Sequence, residues 1–144
     1  MTAEKERRGQ EEREPHYVNV LTLAVARTSH DRFLADSIKW MQVVREGKDV
    51  LSDDYPKLLS GVSFEHFSGG RFWSDDVEQF LSIMRRSRIL RQLGPDMREY
   101  LIDPKAKREL EEGHNPALDK FNKPLEVITS LIDENLGIPR EQYS

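Results

Sequence analysis

The sequence predicts a mostly helical α+β protein with one small β-hairpin and helical extensions at both ends. Two kinds of observation predict it. Apolar residues recur at helical spacing in several segments, most clearly Val77, Phe80, Leu81 and Met84, and then Leu125, Ile128, Leu131, Ile132 and Leu136. Between those segments Gly94-Pro95-Asp96 separates two short apolar runs, which is the composition of a tight turn.

The stretch from Ser74 to Glu112 is the most internally consistent part of the chain. Asp75 and Glu78 have the spacing of a capping box ahead of the Val77 to Met84 stripe. The stripe ends in Arg85, Arg86, Ser87 and Arg88, and Ile89, Leu90 and Leu93 lead into the turn. Beyond it Met97, Tyr100 and Ile102 form the returning strand, and Asp103-Pro104 opens another helix with Leu110 on its buried side.

Met84-Arg-Arg-Ser-Arg-Ile-Leu90 is like the end of a recognition helix entering a strand. Tyr100-Leu-Ile-Asp-Pro-Lys-Ala106 is like the strand that leaves a wing and enters the next helix. Over about a quarter of the chain the sequence therefore resembles the second half of a winged-helix domain. Arg88 departs from that resemblance, since it stands where many members carry Gly, which adopts a left-handed backbone more readily. An all-helical bundle without a wing would need residues 91–102 to be helical across Gly94-Pro95, which breaks the hydrogen-bond ladder.

The 144 residues suit one domain or a small domain with extensions, and the expected division is 1–15, 16–112 and 113–144. Residues 1–15 hold five Glu and four basic residues with almost nothing apolar, the composition of a mobile tail. Tyr17 to Ala26, YVNVLTLAVA, fits both strand and helix templates, with helix preferred. Thr28, Ser29 and Asp31 offer caps for a helix from about Arg32 to Glu46, with Leu34, Ile38, Met41 and Val44 inward, Trp40 at the margin and Gly47 at the end. Ser52, Asp53 and Asp54 then cap a short helix bearing Tyr55, Leu58 and Leu59, with Pro56 in its first turn. In FEHFSGGRFW, Ser68-Gly69-Gly70 is a turn signal that could close a hairpin between FEHF and RFW. After Gly113, Asn115-Pro116 begins a turn with Leu118 and Phe121, and Pro124 stands at the first position of a helix that reaches Leu136.

Charge is segregated. From Arg85 to Arg108 there are eight basic residues against three acidic ones, so that stretch carries +5 and the remainder −9, within a net charge of −4. Cys is absent, which excludes disulfides, thiolate metal sites and Cys nucleophiles. His16, His30, His66 and His114 show no paired ligand spacing, and no Walker, Rossmann or G-x-S-x-G pattern occurs. No metal, cofactor or catalytic constellation is expected, and the chain is read as a non-enzyme. No apolar window is long enough for a membrane span and the N-terminus is too charged for a signal peptide, so a cytoplasmic protein is expected.

Two functions follow from the resemblance. One is a protein-interaction or adaptor module within a larger complex, such as those built around chromosome-organising or defence ATPases. Phe64, Phe67, Phe72 and Trp73 fit a core, a stacking surface for bases or, in this reading, partner-binding aromatics, and the 124–136 helix is a surface for its own domain or for a homodimer. The other is a transcriptional regulator that binds double-stranded DNA with the 75–91 helix and the 93–98 wing. Arg85, Arg86, Arg88, Arg91, Arg98 and Lys105 would contact phosphates, while Asp75, Asp76 and Glu78 at the base-reading end would oppose them. The same residues are candidates in both readings.

Overall fold

A computed structural model describes residues 15–142, so the charged segment before Pro15 lies outside the described residues. The first helix, α1 (Tyr17–Ala26), resolves the two templates in favour of helix. His16 caps it, its Nδ1 accepting from the Val18 amide at 3.2 Å. Seven of its ten residues are buried, because it is packed by helices on several sides and has only a narrow solvent face.

The chain then forms strand β1 (Arg32–Leu34), where a helix was expected. Three residues cannot hold a strand alone. Pairing with β5 (Glu99–Leu101), Phe33 against Tyr100, holds this one and overrides local preference. Helix α2 (Ser37–Leu51) starts later than expected, at Asp36, whose Oδ1 accepts from the amides of Ile38 and Lys39 at 3.0 and 3.3 Å. The buried face differs in part: Met41 and Val44 are buried as expected, but Trp40 is buried rather than marginal, Ile38 is exposed rather than inward, and Leu34 is half-buried in β1. Gly47 does not end α2. It lies where α2 crosses the C-terminal helix, and a Cβ there would already touch Leu131 and Ile128 at 3.6 and 3.7 Å.

No short helix follows. Residues 52–61 form successive turns that place Leu58 and Leu59 in the core. Pro56 and Gly61 bracket only four residues, too few for helical bonds to outweigh the cost of nucleation. The expected hairpin is present as β2 (Glu65–His66) and β3 (Phe72–Trp73), antiparallel, with a 3-10 turn at Ser68–Gly70.

Helix α3 (Asp75–Arg86) is capped by Ser74, whose Oγ accepts from the Val77 amide at 3.2 Å, so Asp75 and Glu78 do not form the expected capping box. Val77, Phe80, Leu81 and Met84 are buried as their spacing predicts. The helix stops at Arg86 rather than Arg91. Arg88 takes the left-handed conformation with φ 63°, and the amides of Arg88 and Ile89 bond back to Arg85 O and Met84 O at 3.1 and 3.0 Å. These are the two bonds of a Schellman motif, closed here by Arg in the position that usually holds Gly.

β4 (Arg91–Leu93) and β5 make the expected ribbon around Gly94, which has φ 95°, and the sheet order is β1-β5-β4. Met97 was expected in the returning strand but sits exposed in the turn, also at positive φ. Beyond β1, Phe33 bridges to Gly137 and Ile138 N donates to Arg32 O at 2.8 Å. That edge is covered and β4 remains the open one. Helix α4 (Pro104–Glu112) starts as expected, with Asp103 as cap and Pro104 first; Leu110 is half-buried, and its buried residue is Lys107.

Helix α5 (Asn122–Leu136) begins two residues before Pro124, whose missing amide costs nothing in a first turn. Leu125, Ile128, Ile132 and Leu136 are buried, and α5 packs on α2 and α1. Most of its apolar stripe is thus covered within the chain, and Leu131 stays half-buried. Trp40 sits at the centre of the aromatic core, 6.1 to 6.3 Å from the rings of Phe33, Phe80 and Tyr100, with Nε1 donating to Leu34 O at 2.7 Å. The result is the expected mostly-α architecture with small antiparallel sheets.

Candidate interaction surfaces

The cationic candidates divide by what their side chains touch. Arg85 turns inward: its guanidinium donates to Tyr100 Oη at 2.9 Å and to Glu78 Oε1 at 3.4 Å. Burial works against its charge, but the bonds to Tyr100 and Glu78 outweigh burial and raise its pKa above the ordinary value. Arg85 fastens α3 to β5 and is not available to a phosphate without breaking both contacts. Arg98 projects from the wing, 82% exposed, with a loose ion pair to Asp96 at 3.4 Å. Lys105 is equally open, 4.0 Å from Glu109 one turn along α4. Arg86, Arg88 and Arg91 are exposed and form no ion pair among the described residues. These three follow one another from the end of α3 into the open strand β4.

The acidic residues at the start of α3 are tied to their own chain. Asp75 accepts from Trp73 Nε1 at 2.9 Å, and Asp76 Oδ2 accepts from Ser63 N and Oγ at 2.8 and 3.0 Å. Glu78 faces Arg85, with Oε2 buried and unpaired among the described residues. Together they hold the 61–74 connection against the helix that follows.

The aromatic candidates are neither core nor fully free. Phe64 and Phe72 meet edge to face at 5.7 Å, and the Arg45 guanidinium covers Phe72 at 4.3 Å from its centroid. Trp73 is half-buried, and Phe67 stands at the hairpin turn with 52% of its surface exposed. Between this hairpin and α2 lies a groove of about 650 Å³ whose walls include Ile38, Gln42, Phe67, Arg71, Phe72 and Trp73. Three of the four expected aromatics line it, while Phe64 lies behind. Ile38 and Gln42 were missed because the expected helix frame pointed Ile38 inward. The signal that could have found them is the spacing of Trp40, Val44, Gly47 and Leu51, which form one face opposite Ile38 and Gln42.

A second apolar groove, about 640 Å³, lies between the end of α2 and the start of α5, with Val50, Tyr55, Val127 and Leu131 among its walls. The Ser29, His30 and Asp133 cluster is structural rather than nucleophilic. Asp133 lies 2.7 Å from His30 Nδ1, the same nitrogen that Ser29 Oγ approaches at 3.5 Å, whereas a triad needs its acid and its Ser on opposite ring nitrogens. Among the described residues no three His, Asp or Glu side chains converge as a metal site, and no helix is long and apolar enough to cross a membrane. No protein-family model, no curated protein and no solved structure matches the chain.

Proposed function

We propose that this chain is a non-enzymatic protein-interaction module with a winged-helix-like core, acting as an adaptor in a larger assembly. Helix α3, a two-stranded ribbon and helix α4 follow one another in the order on which the resemblance rests, and α3 packs on α2 and α1. The observation that carries the reading is the groove between α2 and the β2–β3 hairpin. Ile38 at 45% and Phe67 at 52% exposure stand side by side with Trp73, a concentration of large apolar surface that a solvated face does not need. The end of α3 that would approach base edges is instead occupied by Asp75, tied to Trp73, and Asp76, tied to Ser63.

The experiment is co-purification of the tagged full chain at native abundance, beside an Ile38→Glu/Phe67→Glu variant. A stoichiometric protein should accompany the natural chain and be absent from the variant. Elution of the natural chain alone, as a monomer, removes the proposal.

The alternative is a regulator of double-stranded DNA, favoured by one observation: Arg86, Arg88 and Arg91 are exposed, close in sequence and without an ion pair among the described residues. Random duplex DNA should then bind with a steep salt slope, and replacing these three by Ala should flatten it by about three, one per lost phosphate contact. Absence of binding at low salt excludes it.

A further inference from the structure

The groove between α2 and the β2–β3 hairpin has a definite chemical character, and we infer that it takes an extended protein segment presenting one large apolar side chain beside a carboxylate. This rests on the interaction-module reading and specifies its partner.

The apolar half of the preference comes from the walls. Ile38, Phe67, Phe72 and Trp73 offer aliphatic and aromatic surface, and Gln42, Ser68 and Arg71 are the polar side chains among them. So few polar groups would leave most of a small polar metabolite unpaired, whereas a Leu, Met or Phe side chain displaces water from the rings at no such cost. The charged half comes from the rim. Among the described residues Arg71 is the one charged residue that lines the groove, and its Nε is steered by Ser68 O at 3.4 Å, so its terminal nitrogens can meet a carboxylate in forked geometry. A second guanidinium, that of Arg45, lies over the Phe72 ring from the α2 side. Along that face of α2, Ile38, Gln42 and Arg45 succeed one another at helical spacing, and the acids Glu46 and Asp49 follow only toward the C-terminal end of the helix. The hairpin's own carboxylate, Glu65, pairs across the strands with Trp73 and does not line the groove.

Ring and guanidinium are also held in register. Phe67 N donates to Arg71 O at 2.8 Å across the turn, so the exposed ring and the cation stand at the two feet of one tight loop. The turn itself is set by Gly69 and Gly70, both at positive φ. Little ordering is left to be done on binding, which favours affinity from a short segment.

The test is selection of a displayed library of random peptides of about twelve residues on the full chain, followed by solution affinities for Phe67→Ala and Arg71→Glu. Enriched peptides should place a large apolar residue within one helical turn's length of Asp or Glu. Each substitution should weaken them by about tenfold or more, the loss expected of a hot-spot side chain. Replacing the peptide's acid with Lys should restore binding to Arg71→Glu but not to Phe67→Ala. Both variants change exposed side chains, and unchanged circular dichroism and melting confirm that they are folded. No enrichment, enrichment of neutral or basic peptides, or binding indifferent to Phe67→Ala overturns the inference. A stoichiometric partner that co-purifies equally with natural and Arg71→Glu chains would overturn it while leaving the interaction-module reading intact.

Discussion

Lys107 Nζ donates to the carbonyl oxygen of Thr28 at 2.9 Å, joining positions 79 residues apart in sequence. The same ammonium bonds His30 O and lies 3.5 Å from Asp31 Oδ1, with Lys107 only 9% exposed overall. A buried cation is tolerated because acceptors from the loop between α1 and β1 surround it. Replacing Lys107 by Met keeps the stem and removes the donor. It should lower stability by about 2–3 kcal/mol, the range for losing hydrogen bonds to a charged group, with urea unfolding as the measurement.

At Arg88 the expected sign is opposite. A non-glycine residue in the left-handed region costs about 1–2 kcal/mol, partly offset by the extra freedom Gly has in the unfolded chain. Arg88→Gly should therefore stabilise the protein by about 0.5–1 kcal/mol in thermal or urea unfolding. If it does so and also weakens binding of duplex DNA, the strained Arg is retained for its charge.

Gly137→Ala should do harm for a purely steric reason. The added Cβ would stand 2.5 Å from His30 Nδ1 and 2.7 Å from Asp133 O. One of these is a ring and the other a helix carbonyl, and neither can step aside without breaking the His30 to Asp133 contact. A loss of about 1–3 kcal/mol is expected, as for overpacking elsewhere, and hydrogen exchange should show faster opening of the Ile138 amide.

His114 introduces a pH dependence. Its Nε2 faces Asp119 at 2.6 Å and its Nδ1 faces Glu111 O, so both ring nitrogens are placed to donate. The hydrogen bond to Asp119, with that to Glu111 O, raises its pKa above the ordinary 6.5. The folded state then holds the proton more tightly than the unfolded state. The resulting stability is fully present below 6.5 and is lost as pH rises through the raised folded value. His114→Gln should therefore destabilise more at about pH 5.5 than at about pH 8.5; an equal effect at both would show that the proton is not involved.

Much of this was legible where local signals act within one element. The spacing of Val77, Phe80, Leu81 and Met84, the Asp103-Pro104 start and the Gly94 turn each impose their structure through near neighbours. What could not be read depends on distant partners. β1 is a strand because residues 99–101 pair with it, and Gly47 stays helical because α5 crosses there. The candidate surface was half visible for the same reason. Phe67, Phe72 and Trp73 announce themselves by composition, whereas Ile38 joins them only once the face of Trp40, Val44, Gly47 and Leu51 is taken as the buried one. Arg85 looked like its neighbours in the run, and its bonds to Glu78 two turns back and to Tyr100, brought alongside by the ribbon, distinguish it.

The strand β1 lies between two partners that are synthesised long after it, residues 99–101 on one side and 137–138 on the other. Closing loops of that length is slow compared with forming any single helix. A nascent chain emerging from the ribosome would therefore keep Phe33 and Trp40 waiting, uncovered, through most of translation. The earliest-made part of the core is among the last to be sealed, and for that interval it depends on dilution or chaperones to stay out of trouble.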